Sequence, residues 1–248
     1  EHLDVTGTLL DEHSDTVDTR LAKLGIGRTT LRGAWSETLS LNYQRENFRL
    51  GLTDDAISLL LPGVSYARVA ADDRLVARRG HALRFDLRGA AKPLLSDVDF
   101  AQISAQAKLI RPLGQRVRLL ARAQGGTTWT DDFAKLPATL RYFAGGDQSV
   151  RGYAFQELGP RDASGKVVGG KHLLVASIEA EYRVRGDWGV ALFADAGNAF
   201  DDFSTGLETG AGVGLRWRSP IGMVRVDLAS AVSADRALRL HFTLGPDL

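Results

Sequence analysis

Five histidines, His2, His13, His81, His172 and His241, are scattered along the chain with no metal-ligand spacing among them. Cysteine is absent, which excludes a disulfide framework and thiolate metal sites. The run Gly210-x-Gly212-x-Gly214 looks at first like a dinucleotide loop, but the final spacing is missing. Glycines at every second position of a strand instead clear space on one face. Ser164-Gly165-Lys166 is only a fraction of a P-loop, and there is no nucleophile elbow. No enzyme class, metal or cofactor is indicated. The remaining chemistry is ionic. Arg151 stands between Val150 and the pair Gly152-Tyr153, and two carboxylates follow at Glu179 and Asp195. A guanidinium grips carboxylates through paired, charge-assisted hydrogen bonds. Gly152 would let the backbone approach closely. The bland alternative is a solvated loop arginine.

Such a trio needs elements to hold it, and the dominant period of the chain is two. Leu238, Leu240, Phe242 and Leu244 share one face, opposite Arg239, His241 and Thr243. Val224, Val226 and Leu228 oppose Arg225 and Asp227; Val213, Leu215 and Trp217 oppose Gly214, Arg216 and Arg218. Upstream, Val117, Leu119 and Ala121 oppose Arg118 and Arg122, and Leu83, Phe85 and Leu87 oppose Arg84, Asp86 and Arg88. Helical spacing does not sort residues this way; a pleated strand does. Less regular strands are expected at Leu3–Leu10, Val17–Arg28 and Leu59–Ala71. The count is about a dozen strands of ~9–14 residues, long enough to cross a bilayer at a tilt. By parity Glu179 and Asp195 both lie on the polar side, on consecutive and therefore neighbouring strands.

Composition allows two all-β classes. The chain has 248 residues, 44% hydrophobic and 25% charged, with 27 Gly and 7 Pro, which suits many strands joined by tight turns. A net charge of +1 gives no bulk attraction to nucleic acid, so no nucleic-acid partner is expected. A soluble sandwich also alternates, but its strands usually run to ~5–6 residues. Longer strands, nearly all with a charged face, point instead to an all-β transmembrane antiparallel β-barrel, with lipid outside and water inside. Trp35, Tyr182, Trp188, Phe200 and Trp217, near strand ends, are candidates for interfacial girdles. The chain opens at Glu1 without a basic–apolar–small segment, so a processed or shortened start is expected.

One stretch, about 130–170, interrupts the meander. Unstructured loops beyond ~15 residues are uncommon and usually functional. It holds Phe143-Ala144-Gly145-Gly146-Asp147-Gln148-Ser149-Val150-Arg151-Gly152-Tyr153. That string resembles the lumen-inserting loop of the BamA/TamA superfamily of outer-membrane assembly proteins, whose hallmark is Val-Arg-Gly-Tyr or Val-Arg-Gly-Phe. Ala176-Ser177-Ile178-Glu179 is similar to the family's next strand, and Phe193-Ala194-Asp195-Ala196-Gly197 to the Phe-x-Asp-x-Gly strand after it. Ser219-Pro220-Ile221-Gly222 resembles a near-terminal turn, and the chain end resembles that of the TamA branch.

The resemblance carries several expectations. Residues 1–248 are the C-terminal barrel portion of a family barrel of about sixteen strands, with about twelve strands present. The POTRA domains and about four first strands lie outside it, so the chain is expected to be part of a longer protein; a smaller closed barrel is the alternative. The loop motif Gly145, Gly146, Val150, Arg151, Gly152 and Tyr153 docks on a wall formed by Glu179, Phe193, Asp195 and Gly197. Leu238, Leu240, Phe242 and Leu244 form the terminal gate strand. Arg151 latches Asp195 and Glu179 in a partly hydrated contact, where such hydrogen bonds are worth ~1–3 kcal/mol. The implied partners are the outer-membrane bilayer, a TamB-like periplasm-spanning protein, and unfolded outer-membrane or autotransporter substrates. Support of phospholipid traffic is a further implication. General BamA-like insertion, two-partner secretion and a passive porin are the competing functions.

Overall fold

The computed structural model describes residues 1–13, 17–73, 75–234 and 238–248. They form β1 (His2–His13), β2 (Val17–Arg32), β3 (Trp35–Leu50), β4 (Thr53–Ala71), β5 (Gly80–Ala90), β6 (Phe100–Leu113), β7 (Val117–Thr130), β8 (His172–Arg185), β9 (Trp188–Phe200), β10 (Glu208–Ser219), β11 (Gly222–Ala231) and β12 (Leu238–Gly245). Every strand pairs antiparallel with its sequence neighbour, in one twelve-stranded sheet ordered β1 to β12. Among the described residues β1 and β12 do not pair with each other, so the sheet is open and each outer strand keeps a free edge. Strand lengths run from 8 residues in β12 to 19 in β4. β2 and β3, of 16 residues each, and β4, of 19, exceed the expected lengths, and β12, of 8, falls below them.

Burial is inverted relative to a soluble protein. Leu240 is 72% and Phe242 60% exposed, and Ile178, Leu192, Val213 and Leu215 are exposed on the same outer wall. Their polar neighbours Arg216, Asp227 and His241 are buried on the inner wall. Exposed apolar and buried charged residues alternating along β8 to β12 are the pattern of a wall with lipid outside. Trp188 and Trp217, opposite each other in the β9–β10 register, stack outside at 5.8 Å beside exposed Tyr182. Phe200 departs from the girdle expectation: it is buried, covered by His172 and Phe203.

The inner wall is not uniformly polar either. Val17, Phe48, Leu50, Ile57, Leu59 and Leu61 turn inward and are covered by Leu136, Ala138 and Leu140 of the long connection between β7 and β8. The expectation of a water-filled interior fails at that end, because the connection folds back into the barrel and removes those side chains from water.

Candidate functional site

The connection enters the lumen from the end opposite the β8–β9 and β10–β11 turns. Its first part forms two short 3-10 turns, Phe133–Lys135 and Ala138–Leu140. Arg141 ties them together, donating to the carbonyls of Leu136 at 2.7 Å, Ala134 at 2.7 Å and Val168 at 3.1 Å. Burial pulls the Arg141 guanidinium down to about 10, with only the charges of Asp201 and Glu46 opposing it. Buried Glu46 of β3 accepts the Thr139 amide at 3.3 Å, and Gln102 of β6 donates to the Leu140 carbonyl at 2.8 Å.

The motif follows as a tight reversal. The Gly145 amide donates to the Ser149 hydroxyl at 3.1 Å, and the Gly146 amide to the Tyr153 carbonyl at 3.2 Å. Val150 is fully buried in a cluster with Ala144, Leu158, Val175 and Ala231. Gly152 has φ +97°, and a Cβ there would lie 2.6 Å from the Ser230 backbone, so an ordinary side chain is excluded twice over. Tyr153 donates to Glu208 at 2.9 Å.

Between them Arg151 meets three carboxylates. Its backbone amide, Nε and Nη2 all donate to Asp195, at 3.0, 2.8 and 3.0 Å. Nη1 donates to Glu179 at 2.8 Å and to Asp227 at 2.9 Å. The guanidinium lies 3.3 Å from the centre of the Phe193 ring. Burial alone would lower the Arg151 pKa, but hydrogen bonding and charge from Asp195, then Glu179, raise it above its ordinary value. The side chain is only 6% exposed, so the expectation of a partly hydrated contact is corrected: this is a desolvated ion cluster.

Strand register makes the cluster. Asp195 pairs with Ser177 and Phe193 with Glu179, so the two carboxylates are diagonal neighbours on one face. A Cβ at Gly210 would strike the Arg151 carbonyl, and one at Gly214 would strike Asp227 and Arg216. The alternate glycines of β10 therefore clear space on the inner face, as their spacing suggests. Gly197 plays the same part where β8 and β9 approach: a Cβ there would lie 2.7 Å from the Leu174 carbonyl oxygen.

Sequence reasoning kept several partners on the polar face without assigning them to the site. Arg216 donates to Glu179 at 2.9 and 2.6 Å and also binds Asp227, so both carboxylates bridge two arginines. Arg216 reaches Glu181 as well, which pairs with Arg118, which in turn binds Asp247 at 2.6 Å. Asp247 also takes Arg225, so the segment after β12 folds back into the lumen and is tied to β7 and β11. His241 of β12 accepts the Gly152 amide on Nε2 at 3.0 Å, which leaves Nδ1 to donate to Asp147. Inward parity was the available signal for Arg118, Glu181, Arg216, Arg225, Asp227 and His241; Asp147 and Asp247 lie outside strands, where parity carries none. The four gate-strand residues stand apart: Leu238, Leu240, Phe242 and Leu244 face outward on the edge strand and touch no part of the cluster.

A family model described as the Omp85 superfamily domain matches residues 11–247. The outer membrane protein assembly factor BamA of Nitratidesulfovibrio vulgaris is 25% identical over 76% of this chain, which spans 26% of that relative's length. Among solved structures, BamA from Haemophilus ducreyi lacking POTRA domains 1–3 superposes with a TM-score of 0.75 at 18% identity, over 93% of this chain and 54% of that one. CdiB from Acinetobacter baumannii gives 0.59 at 15% identity, over 92% of this chain and 41% of that one. With its outward apolar wall, its inserted loop and nearly its whole length matched, the chain belongs to the Omp85 superfamily and is an outer-membrane β-barrel chain.

Proposed function

We propose that this chain is the barrel portion of an outer-membrane assembly factor that inserts or translocates autotransporter-type proteins with a TamB-like partner, and that it supports phospholipid traffic. The observation that carries a role in assembly rather than passive conduction is the lumen. Residues 131–171 enter it and are fastened at two places, against β2, β3 and β4 and against β8, β9 and β11, which a passive pore does not need. β12 is the last strand of the sheet, and in this reading an incoming strand adds to its backbone edge by hydrogen bonding. The Arg151 cluster then stiffens β8 to β11, and movement on the β12 side requires His241 to leave the Gly152 amide and Asp147. The TamA-like chain end and loop favour the autotransporter substrate; the BamA likeness favours a second reading, general outer-membrane protein insertion.

Reconstitution of the native protein in proteoliposomes with unfolded outer-membrane protein tests the proposal. Acceleration of substrate folding that is lost on Arg151→Ala is the expected result. Acceleration of autotransporter and simple barrel substrates alike selects the second reading. Ion conductance with no effect on any substrate overturns both.

A further inference from the structure

The turns 114–116, 186–187 and 220–221, together with the β4–β5 connection, make up one end of the sheet. Arg78, Arg116, Arg183, Arg185 and Arg218 gather there. Among the described residues none of the five has a carboxylate partner. Arg78 donates to the Gln115 carbonyl at 3.3 Å, Arg183 to the same carbonyl at 3.2 Å, and Arg116 to the Tyr182 hydroxyl at 3.3 Å. The local acids do not compensate. Asp72 is turned toward the amides of Arg78 and Arg79, and Asp73 toward those of Leu75 and Val76, so neither forms an ion pair with the five guanidinium groups. Glu181 is held by Arg118, and the arginines of this end, Arg79 included, outnumber the remaining carboxylates Asp72, Asp73 and Asp187. In the lumen Arg118, Arg151, Arg216 and Arg225 bind carboxylates, while Arg122 and Arg141 bind backbone carbonyls. What marks the rim is that five arginines without a carboxylate partner share one end of the sheet.

Its position identifies the counter-charge. Arg78, Arg116, Arg183 and Arg218 line one cleft with Tyr182 and Trp188. Trp188 stacks on Trp217 at the margin of the apolar outer wall, where exposed Val184 and Val190 begin. Stacked indoles at the edge of an apolar band mark the level of lipid headgroups. Anionic headgroups attract basic residues at that level, and a guanidinium fork matches two phosphate oxygens. We propose that this arginine rim is a docking surface for the phosphates of anionic phospholipids in the leaflet at the short-turn end of the barrel. The inference rests on the membrane-barrel reading but not on the assembly activity.

Thermal unfolding of the detergent-solubilised native protein, with added dioleoyl phosphatidylglycerol or dioleoyl phosphatidylcholine, is the test. Phosphatidylglycerol is expected to raise the midpoint by several degrees more than phosphatidylcholine. The double variant Arg116→Gln/Arg183→Gln is expected to lose most of that difference while still showing a heat-modifiable, folded band on a gel. Arg116→Lys/Arg183→Lys should keep part of it, and Arg161→Gln, at the opposite end, all of it. No preference in the wild type, or a preference that survives the double glutamine variant, overturns the proposal. Equal stabilisation by inorganic phosphate assigns the site to free anions, and stabilisation by polyglutamate alone assigns it to an acidic protein; either result also overturns it. A protein that is monodisperse without detergent removes the barrel reading itself, which separates that failure from this one.

Discussion

The lumenal connection is held at two places by opposite chemistry. Around Leu136, Ala138 and Leu140 it is held chiefly by apolar burial against β2, β3 and β4, with hydrogen bonds from Thr139 to Glu46 and from Gln102 to the Leu140 carbonyl beside it. Around Arg151 it is held by a buried network of alternating charges across β8, β9 and β11. Apolar burial is non-directional and tolerates sliding. The guanidinium has a fixed fork, and its three acceptors sit on three different strands, so it tolerates almost none. Buried ion clusters give weak net stabilisation but are costly to break singly. One site therefore retains the loop, and the other fixes its orientation.

The largest expected effect comes from removing the cation. Arg151→Ala leaves Asp195, Glu179 and Asp227 facing one another without it, at a cost of about 3–5 kcal/mol. Hydrogen exchange should rise across residues 145–153 while the sheet persists, and Arg151→Lys should recover little. A double-mutant cycle with Asp195→Asn is expected to be strongly non-additive; additive effects would remove the latch from the comparison.

Next comes Leu136→Ala, which opens a cavity in the apolar anchor at about 2–5 kcal/mol. Exchange should rise at residues 133–143 and leave 145–153 unchanged. Loosening of both segments by either substitution would show the loop to be a single cooperative unit, and the contrast would collapse.

A third test moves to the strap at the chain end. Asp247→Asn weakens charged hydrogen bonds to Arg118 and Arg225, each of a kind worth about 1.5–3 kcal/mol. Spin labels on β12 should report increased mobility with the loop still in place. Unchanged mobility would leave the strap without a role in restraining the edge strand.

The smallest effect is expected from Tyr153→Phe, which removes the hydroxyl contacts to Glu208 and Ser233 for about 0.5–1.5 kcal/mol. A modest fall in thermal midpoint with an unmoved loop is the predicted result; release of the loop would shift the orienting role from Arg151 to this tyrosine.

Alternation, which is local, made much of this legible in the sequence. The period of two in β10, β11 and β12 specified strands, their two faces and a wall apolar on its outside. The string from Phe143 to Tyr153, with Glu179 and Asp195 at inward parity, specified an ionic loop. Parity could not say which inward residues share a neighbourhood. Asp227 and Arg216 carried the same signal as many other inward charges; they reach Arg151 and Glu179 because β9, β10 and β11 pair in one particular register. The apolar anchor was hidden for a related reason. Phe48, Leu50 and Leu59 stand where a lumen should be wet, and only the loop folded over them makes that position favourable.

The sequence by itself determined the strands, their sidedness and the presence of a charged loop motif, since each follows from the order of side chains along a pleated backbone. Only the tertiary structure decided that Arg151 serves three strands at once, that Asp247 returns to Arg118, and that the lumen is part oil and part salt. Those contacts join residues up to 129 positions apart, as for Arg118 and Asp247, and depend on register and curvature that no local pattern encodes.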